Sequence, residues 1–242
     1  MNKVTYDAGT MTIEVYGLDG VAYMLGDLKS KTPAVVKTAI NATARKTARD
    51  AVKAAERRYA LTTRGEEKLR DYKQRKKATN RDLLAIINGG DDALPLNIVY
   101  FEHTPNKPYM GKAIGAAPAH FRARVLRSGG YKELDESSDG SRAFLVSIHN
   151  TVSKNDHIAM LQRVLGSQTN RRKTNRGYPR WKSPNGLVEK IYDMERPGVS
   201  SMGAAVWSRG VDQTTAEYLQ EQVFRQTERV LARAKAKQRL MP

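Results

Sequence analysis

No cysteine occurs anywhere in the 242 residues. That absence excludes disulfides, thiol catalysis and thiolate metal sites together, and it fits a reducing compartment. No apolar run approaches the roughly 18 residues a membrane span needs, so no membrane association is expected. Met1 to Gly20 lacks a basic stretch followed by an apolar core, so no secretory signal is expected either. Acidic residues are in the minority, 25 Asp+Glu against 42 Lys+Arg, which leaves a formal net charge of +17. Such a field attracts phosphates or acidic protein surfaces and repels other copies of the chain. DNA, RNA and an acidic protein ring would each satisfy it.

The sequence also has little that supports catalysis. His103, His120, His149 and His157 show neither an H-x-x-x-H nor an H-E-x-x-H spacing, so no metal site is expected. Asp91-Asp92, Asp135-Glu136 and Glu66-Glu67 lie in turn-like or basic segments and read as solvated carboxylates, not as an acid and base with separated pKa values. Gly111 to Gly115, GKAIG, lacks the order of a phosphate-binding loop. No internal repeat is present. The chain is expected to be no enzyme and to need no cofactor.

What is present is a long one-sided helix, Thr32 to Tyr59. Thr32 is placed to act as N-cap, with Pro33 in the first turn, where a missing N–H costs nothing. Val36, Ile40, Ala44, Thr47, Ala51, Ala55 and Tyr59 recur at three- and four-residue spacing, while Lys37, Asn41, Arg45, Arg49, Lys53 and Arg57 fall on other faces. A second helix is expected near the C-terminus. There Thr214 and Glu217 have capping-box spacing, and Ala216, Leu219, Val223, Thr227, Val230 and Ala234 form an inner stripe widened by Tyr218, Phe224 and Leu231.

Thr10 to Leu18 alternates with a period of two and predicts a strand, followed by a short helix or turn in Val21 to Lys29. Leu96–Phe101, Ala119–Leu126 and Arg142–His149 are the other expected strands, the last two as a long hairpin. Asp82 to Ile87 reads as a short apolar helix stopped by Gly89-Gly90. Leu187 to Met194 reads as a short ordered segment, and Gly198 to Trp207 as a final strand or a turn. The fold class is therefore α+β, a mainly antiparallel sheet packed by two long helices, in a single domain covering residues 1–242.

Two basic excursions leave this body, residues 61–81 and 167–186. Thr63 to Asn80 is nearly free of large apolar residues and reads as a solvated helical extension or a projecting arm. Thr63 to Asn80 and Gln168 to Asn185 are expected to be mobile or extended until a partner orders them. In the second, Arg171, Arg172, Lys173, Arg176, Arg180 and Lys182 surround Tyr178 and Trp181, joining phosphate-seeking charge to flat rings. This loop reads as a nucleic-acid contact, a contact to an acidic subunit, or solvated surface. Arg75, Lys76 and Lys77 are the corresponding candidates in the first excursion.

The order of these features resembles the prophage minor tail protein Z group, the tail completion proteins of long-tailed phages. The resemblance runs from about Leu28 to Arg239. It consists of the Ala/Thr-rich basic helix, a basic connector, LNIVYF, and Gly140 to Phe144. Then come Arg163 to Gly166, a basic loop, and Gly198 to Met202 before a basic C-terminal helix. It implies a structural virion protein at the head-proximal end of the tail, made in the host cytoplasm. Its copies would form a homo-oligomeric ring, with a hexamer favoured, between the tail terminator and head connector proteins and near genomic DNA. A stand-alone basic nucleic-acid-binding protein is the alternative.

Overall fold

The computed structural model describes residues 2–7, 10–15, 18–89, 94–106, 120–134, 143–149, 156–164 and 190–239. The fold is α+β, and the strand pairings within it are antiparallel. Contacts gather into two compact units. Unit 1 comprises Met1–Arg57, Glu67–Pro95 and Pro197–Pro242; unit 2 comprises Arg58–Glu66 and Leu96–Arg196. Among the described residues, no helix is long and apolar enough to cross a membrane.

Both long helices fall in unit 1. Helix α1 (Asp19–Leu25) and a 3-10 turn (Gly26–Lys31) lead into α2 (Thr32–Arg58). The expected stripe Val36, Ile40, Ala44, Thr47, Ala51, Ala55 is buried throughout, as is Tyr59 beyond the helix end, while Arg45, Arg49, Lys53 and Arg57 are exposed. The N-cap differs. Thr32 has helical φ/ψ of −49° and −50° and its hydroxyl has no hydrogen bond among the described residues, because the 3-10 turn runs directly into the helix.

The sheet of unit 1 has the order β1 (Asn2–Asp7), β2 (Thr10–Val15), β4 (Leu84–Asn88), β3 (Lys73–Lys76). Met11 opposite Ile87 and Ile13 opposite Ala85 make one fully buried apolar face. Leu84–Asn88 was expected within a helix. The run Leu83 to Ile87 is too short for periodicity to separate helix from strand, and the β-branched Ile86-Ile87 pair completes an alternation that β2 can bury.

Thr63 to Asn80 was expected as a solvated helical extension or a projecting arm. It folds as α3 (Thr63–Leu69) followed by β3, and its few apolar groups, Leu69, Tyr72 and Ala78, are all buried. Asn41 of α2 fastens this segment. Its amide donates to the Ala78 carbonyl at 3.0 Å, and its Oδ1 accepts from the Ala78 N–H at 2.9 Å and from Gln74 Nε2 at 2.7 Å. Asn41→Ala leaves both backbone groups of Ala78 without these partners, at an expected cost of about 2 kcal/mol. A urea unfolding midpoint checks it, and an unchanged midpoint would show that the clasp contributes nothing.

Gly198 to Trp207 was expected as a strand or turn. It instead contains α4 (Val199–Val206), with Val199, Met202 and Val206 buried at helical spacing. Gly203 lets it approach closely, since a Cβ there would lie 2.8 Å from the Tyr72 ring. A kink at Trp207–Val211, with Gly210 at φ 110°, redirects the chain into α5 (Asp212–Arg239). The expected capping box does not form. The helix begins at Asp212, and Thr214 instead donates its hydroxyl to the carbonyls of Gly210 (3.1 Å) and Val211 (3.0 Å). Leu219, Val223 and Thr227 are buried as expected, and Thr215 meets Thr47 of α2 hydroxyl to hydroxyl at 3.0 Å. Phe224, expected on the inner face, is 56% exposed.

The described strands of unit 2 are distributed over three small sheets. One pairs β5 (Leu96–Asn97) with β12 (Glu195–Arg196). The second runs β6 (Glu102–Thr104), β7 (Arg122–Arg124), β8 (Lys132–Glu133). The third runs β11 (Lys190–Asp193), β10 (Asp156–Val164), β9 (Ala143–His149). Its core is Ile98, Val99, Phe121, Ala123, Leu134, Ala143, Leu145 and Met160. Among the described residues, the expected pairing of Ala119–Leu126 with Arg142–His149 is not found. β9 pairs with β10, and β7 pairs with β6 and β8.

The expected strand Leu96–Phe101 breaks after Asn97 into a 3-10 turn, Ile98–Tyr100. The Asn97 side chain causes the break by accepting from the N–H groups of Val99 (3.2 Å) and Met160 (3.0 Å) and donating to the Met160 carbonyl (2.9 Å). On the second sheet, Arg124 binds Glu102, Tyr131 donates to the same carboxylate, and the Arg124 guanidinium lies 5.3 Å from the Tyr131 ring centre. Beside them, the hydrogen bond from Arg122 and the nearby His120 hold the Glu133 carboxyl below its usual pKa.

Candidate functional site

Burying the Ala/Thr stripe of α2 turns its basic residues outward in a row. Arg45, Arg49 and Lys53 follow one another at four-residue intervals, about 6 Å apart along the axis. Across from them stand Arg70 and Lys73, and the concavity between has a volume of ≈ 810 Å³. Its lining also includes the apolar Ala42, Ala48 and Val52, with Tyr218 contributed by α5. Lys46 lies over the Tyr218 ring at 5.1 Å and pairs with Asp50 on its own helix. Glu56 is the one carboxylate of this lining. Among the described residues, Arg45, Lys53 and Arg70 have no ion-pair partner, whereas Lys73 meets Asp71 at 3.2 Å. The groove therefore presents five cations to whatever enters it, above a partly apolar floor.

A convex counterpart lies on α5. Arg225, Arg229, Arg233 and Lys237, all exposed, repeat the four-residue spacing over about 18 Å. Glu228 is the only carboxylate from Phe224 to Arg239, and among the described residues none after Thr227 is buried. Val230, Leu231 and Ala234, half-buried, occupy the other side of the helix. Like charges four residues apart repel within a helix, so this ridge is stabilised by an anion laid along it.

Of the residues singled out from sequence, Arg75, Lys76 and Lys77 are exposed on and just after the edge strand β3. Lys76 pairs with Asp82 at 2.6 Å and Arg75 donates to the Asp71 carbonyl at 3.1 Å, so both are already engaged locally. Charged side chains on an edge strand also prevent it from pairing with another chain. These three therefore do not join the groove, although Lys73 and Gln74 of the same strand line it. Arg171, Arg172, Lys173, Arg176, Tyr178, Arg180, Trp181 and Lys182 lie outside the described residues, as does the expectation that Gln168 to Asn185 is mobile or extended. The α5 ridge was not among the expected contacts, although its four-residue cation repeat is readable directly.

Among the described residues, no group of three His, Asp or Glu side chains is placed to hold a metal ion. His103 turns Nδ1 to the Phe101 carbonyl at 2.8 Å. The geometry of unit 1 suits the capture of extended negative charge. Comparison with protein-family models, with curated proteins and with solved structures finds no match to this chain.

Proposed function

We propose that this chain is a structural virion protein, a tail completion component of a long-tailed phage. In this reading its copies form a ring at the head-proximal end of the tail, between the tail terminator and the head connector, and its basic surfaces face acidic neighbours and the DNA path. The observation that carries the reading is the pairing, on one compact unit, of a concave basic groove on α2 with a convex basic ridge on α5. The resemblance of its order of sequence features to that of tail completion proteins supports it. A subunit joining two assemblies needs two contact surfaces, and a ring around DNA needs cations turned toward the duplex.

The α5 ridge equally favours a second reading, a stand-alone nucleic-acid-binding protein. That reading requires a monomer or dimer binding free DNA tightly at physiological salt, with no effect on tails. Head joining by tails assembled with and without the protein separates the two.

A further inference from the structure

One part of unit 1 has the opposite character to the groove. From Val4 to Leu28 the sequence holds four carboxylates, Asp7, Glu14, Asp19 and Asp27, and no Lys or Arg. Helix α1 lies in this stretch and exposes two adjacent large side chains, Tyr23 at 89% and Met24 at 43%. Asp19 and Asp27, also exposed, flank them, and among the described residues neither has an ion-pair partner. An exposed aromatic beside a flexible thioether, rimmed by charge, has the composition of a protein contact.

We propose that α1 of one copy docks in the α2 groove of the next, with Tyr23 and Met24 on the Ala42, Ala48 and Val52 floor and Asp19 and Asp27 toward the cations. Three observations select a second copy as the occupant. The groove has excess positive charge with Arg45, Lys53 and Arg70 lacking ion-pair partners, and the α1 surface supplies free carboxylates. Both surfaces are partly apolar, which a phosphate chain would leave uncovered. Pairing groove with groove would instead bring five cations against five. The N-terminus of α2, where the α1 segment enters, lies about 20 Å along the helix from Arg45. The groove lining contains no residue of α1, so patch and groove are separate surfaces, and their contact repeats from copy to copy, the arrangement that closes into a ring or continues as a filament. It also answers how chains of net charge +17 associate, because each contact is locally attractive. The inference rests on the proposed ring only in requiring that copies associate.

The test uses full-length protein treated with nuclease and measures mass distribution by sedimentation velocity. Wild type is expected to associate beyond a dimer. Asp19→Asn/Asp27→Asn, which neutralises the patch, and Arg49→Gln/Lys53→Gln, which neutralises part of the groove, are each expected to associate at least about tenfold more weakly. Thermal unfolding like that of wild type confirms that these exposed changes leave the fold intact. Mixing the two variants leaves a single usable contact, the intact patch of one with the intact groove of the other. The expected product is a heterodimer that grows no further.

Either variant alone assembling like wild type, a mixture that fails to pair, or wild-type association that disappears on nuclease treatment would overturn the contact. Wild type that associates regardless of these substitutions removes this contact and leaves the ring standing. Wild type that stays monomeric removes the contact and leaves any ring to be imposed by other tail proteins.

Discussion

Gly65→Ala is expected to destabilise the protein by about 3 kcal/mol or more, the upper end of what overpacking costs. A Cβ at this position would lie 2.0 Å from the Tyr100 carbonyl oxygen, 3.0 Å from its carbon and 3.2 Å from Leu61 Cβ. The obstacle is backbone, not the end of a flexible side chain, and it is fastened in place. The Thr62 N–H donates to the Tyr100 carbonyl at 3.0 Å, and the Thr62 hydroxyl lies 3.2 Å from the same oxygen. Retreat of the carbonyl would break these bonds. Alanine is favoured over glycine within a helix by about 1 kcal/mol, which acts in the opposite direction but is the smaller effect. Gly20→Ala serves as the control, since a Cβ there meets nothing within 4 Å. Urea unfolding should show a large fall in midpoint for Gly65→Ala and a small rise for Gly20→Ala, which lies in α1 with open space around it. Equal midpoints would mean that α3 and Tyr100 are not in contact.

The second large effect is expected on DNA binding. Replacing Arg225, Arg229 and Arg233 with Ser removes three cations from the α5 ridge. The slope of log affinity against log salt should fall by about 2.7 if each neutralises one phosphate, because each contact releases about 0.9 of a counterion. The fold should be retained, since all three side chains are exposed and their removal relieves repulsion along the helix. Changing Arg75, Lys76 and Lys77 together is expected to matter less, because Asp82 and the Asp71 carbonyl already hold two of them. Fluorescence anisotropy on a short duplex across a salt series measures both. An unaltered slope in the α5 variant would remove the ridge from the DNA contact, and the same series on Arg171, Arg172 and Arg176 tests the 167–186 loop.

The helices were the most legible part of the chain. In α2 a strict stripe of small residues faced a strict row of cations, and every expected stripe position is buried. The α+β class followed from the same contrast with alternating Thr10 to Val15. Short apolar runs were less legible because length is what separates their alternatives. LLAII became a strand through pairing with β2, and VSSMGAAV became a helix because Gly203 could lie against Tyr72. Strand partners were illegible where side chains decided them. Asn97 interrupts LNIVYF by bonding to Met160, a residue 63 positions away, and no local pattern carries that information.

The basic groove was half legible. Arg45, Arg49 and Lys53 stood out as a helix face, but Arg70, Lys73 and Tyr218 join them only through tertiary packing. A charge-dense segment such as Thr63 to Asn80 looked unable to fold because its average composition hides three apolar residues placed where the core needs them.

The measurement that bears most directly on the proposed function is head joining. Tails assembled without this protein are mixed with filled heads, and joined particles are counted by electron microscopy after adding wild-type protein or the Arg225→Ser/Arg229→Ser/Arg233→Ser variant. Joining is expected to be restored with wild type, and to be reduced with the variant, the more steeply as salt rises. Tails that join heads equally well with no protein added, while the protein stays monomeric in their presence, would contradict the proposed function.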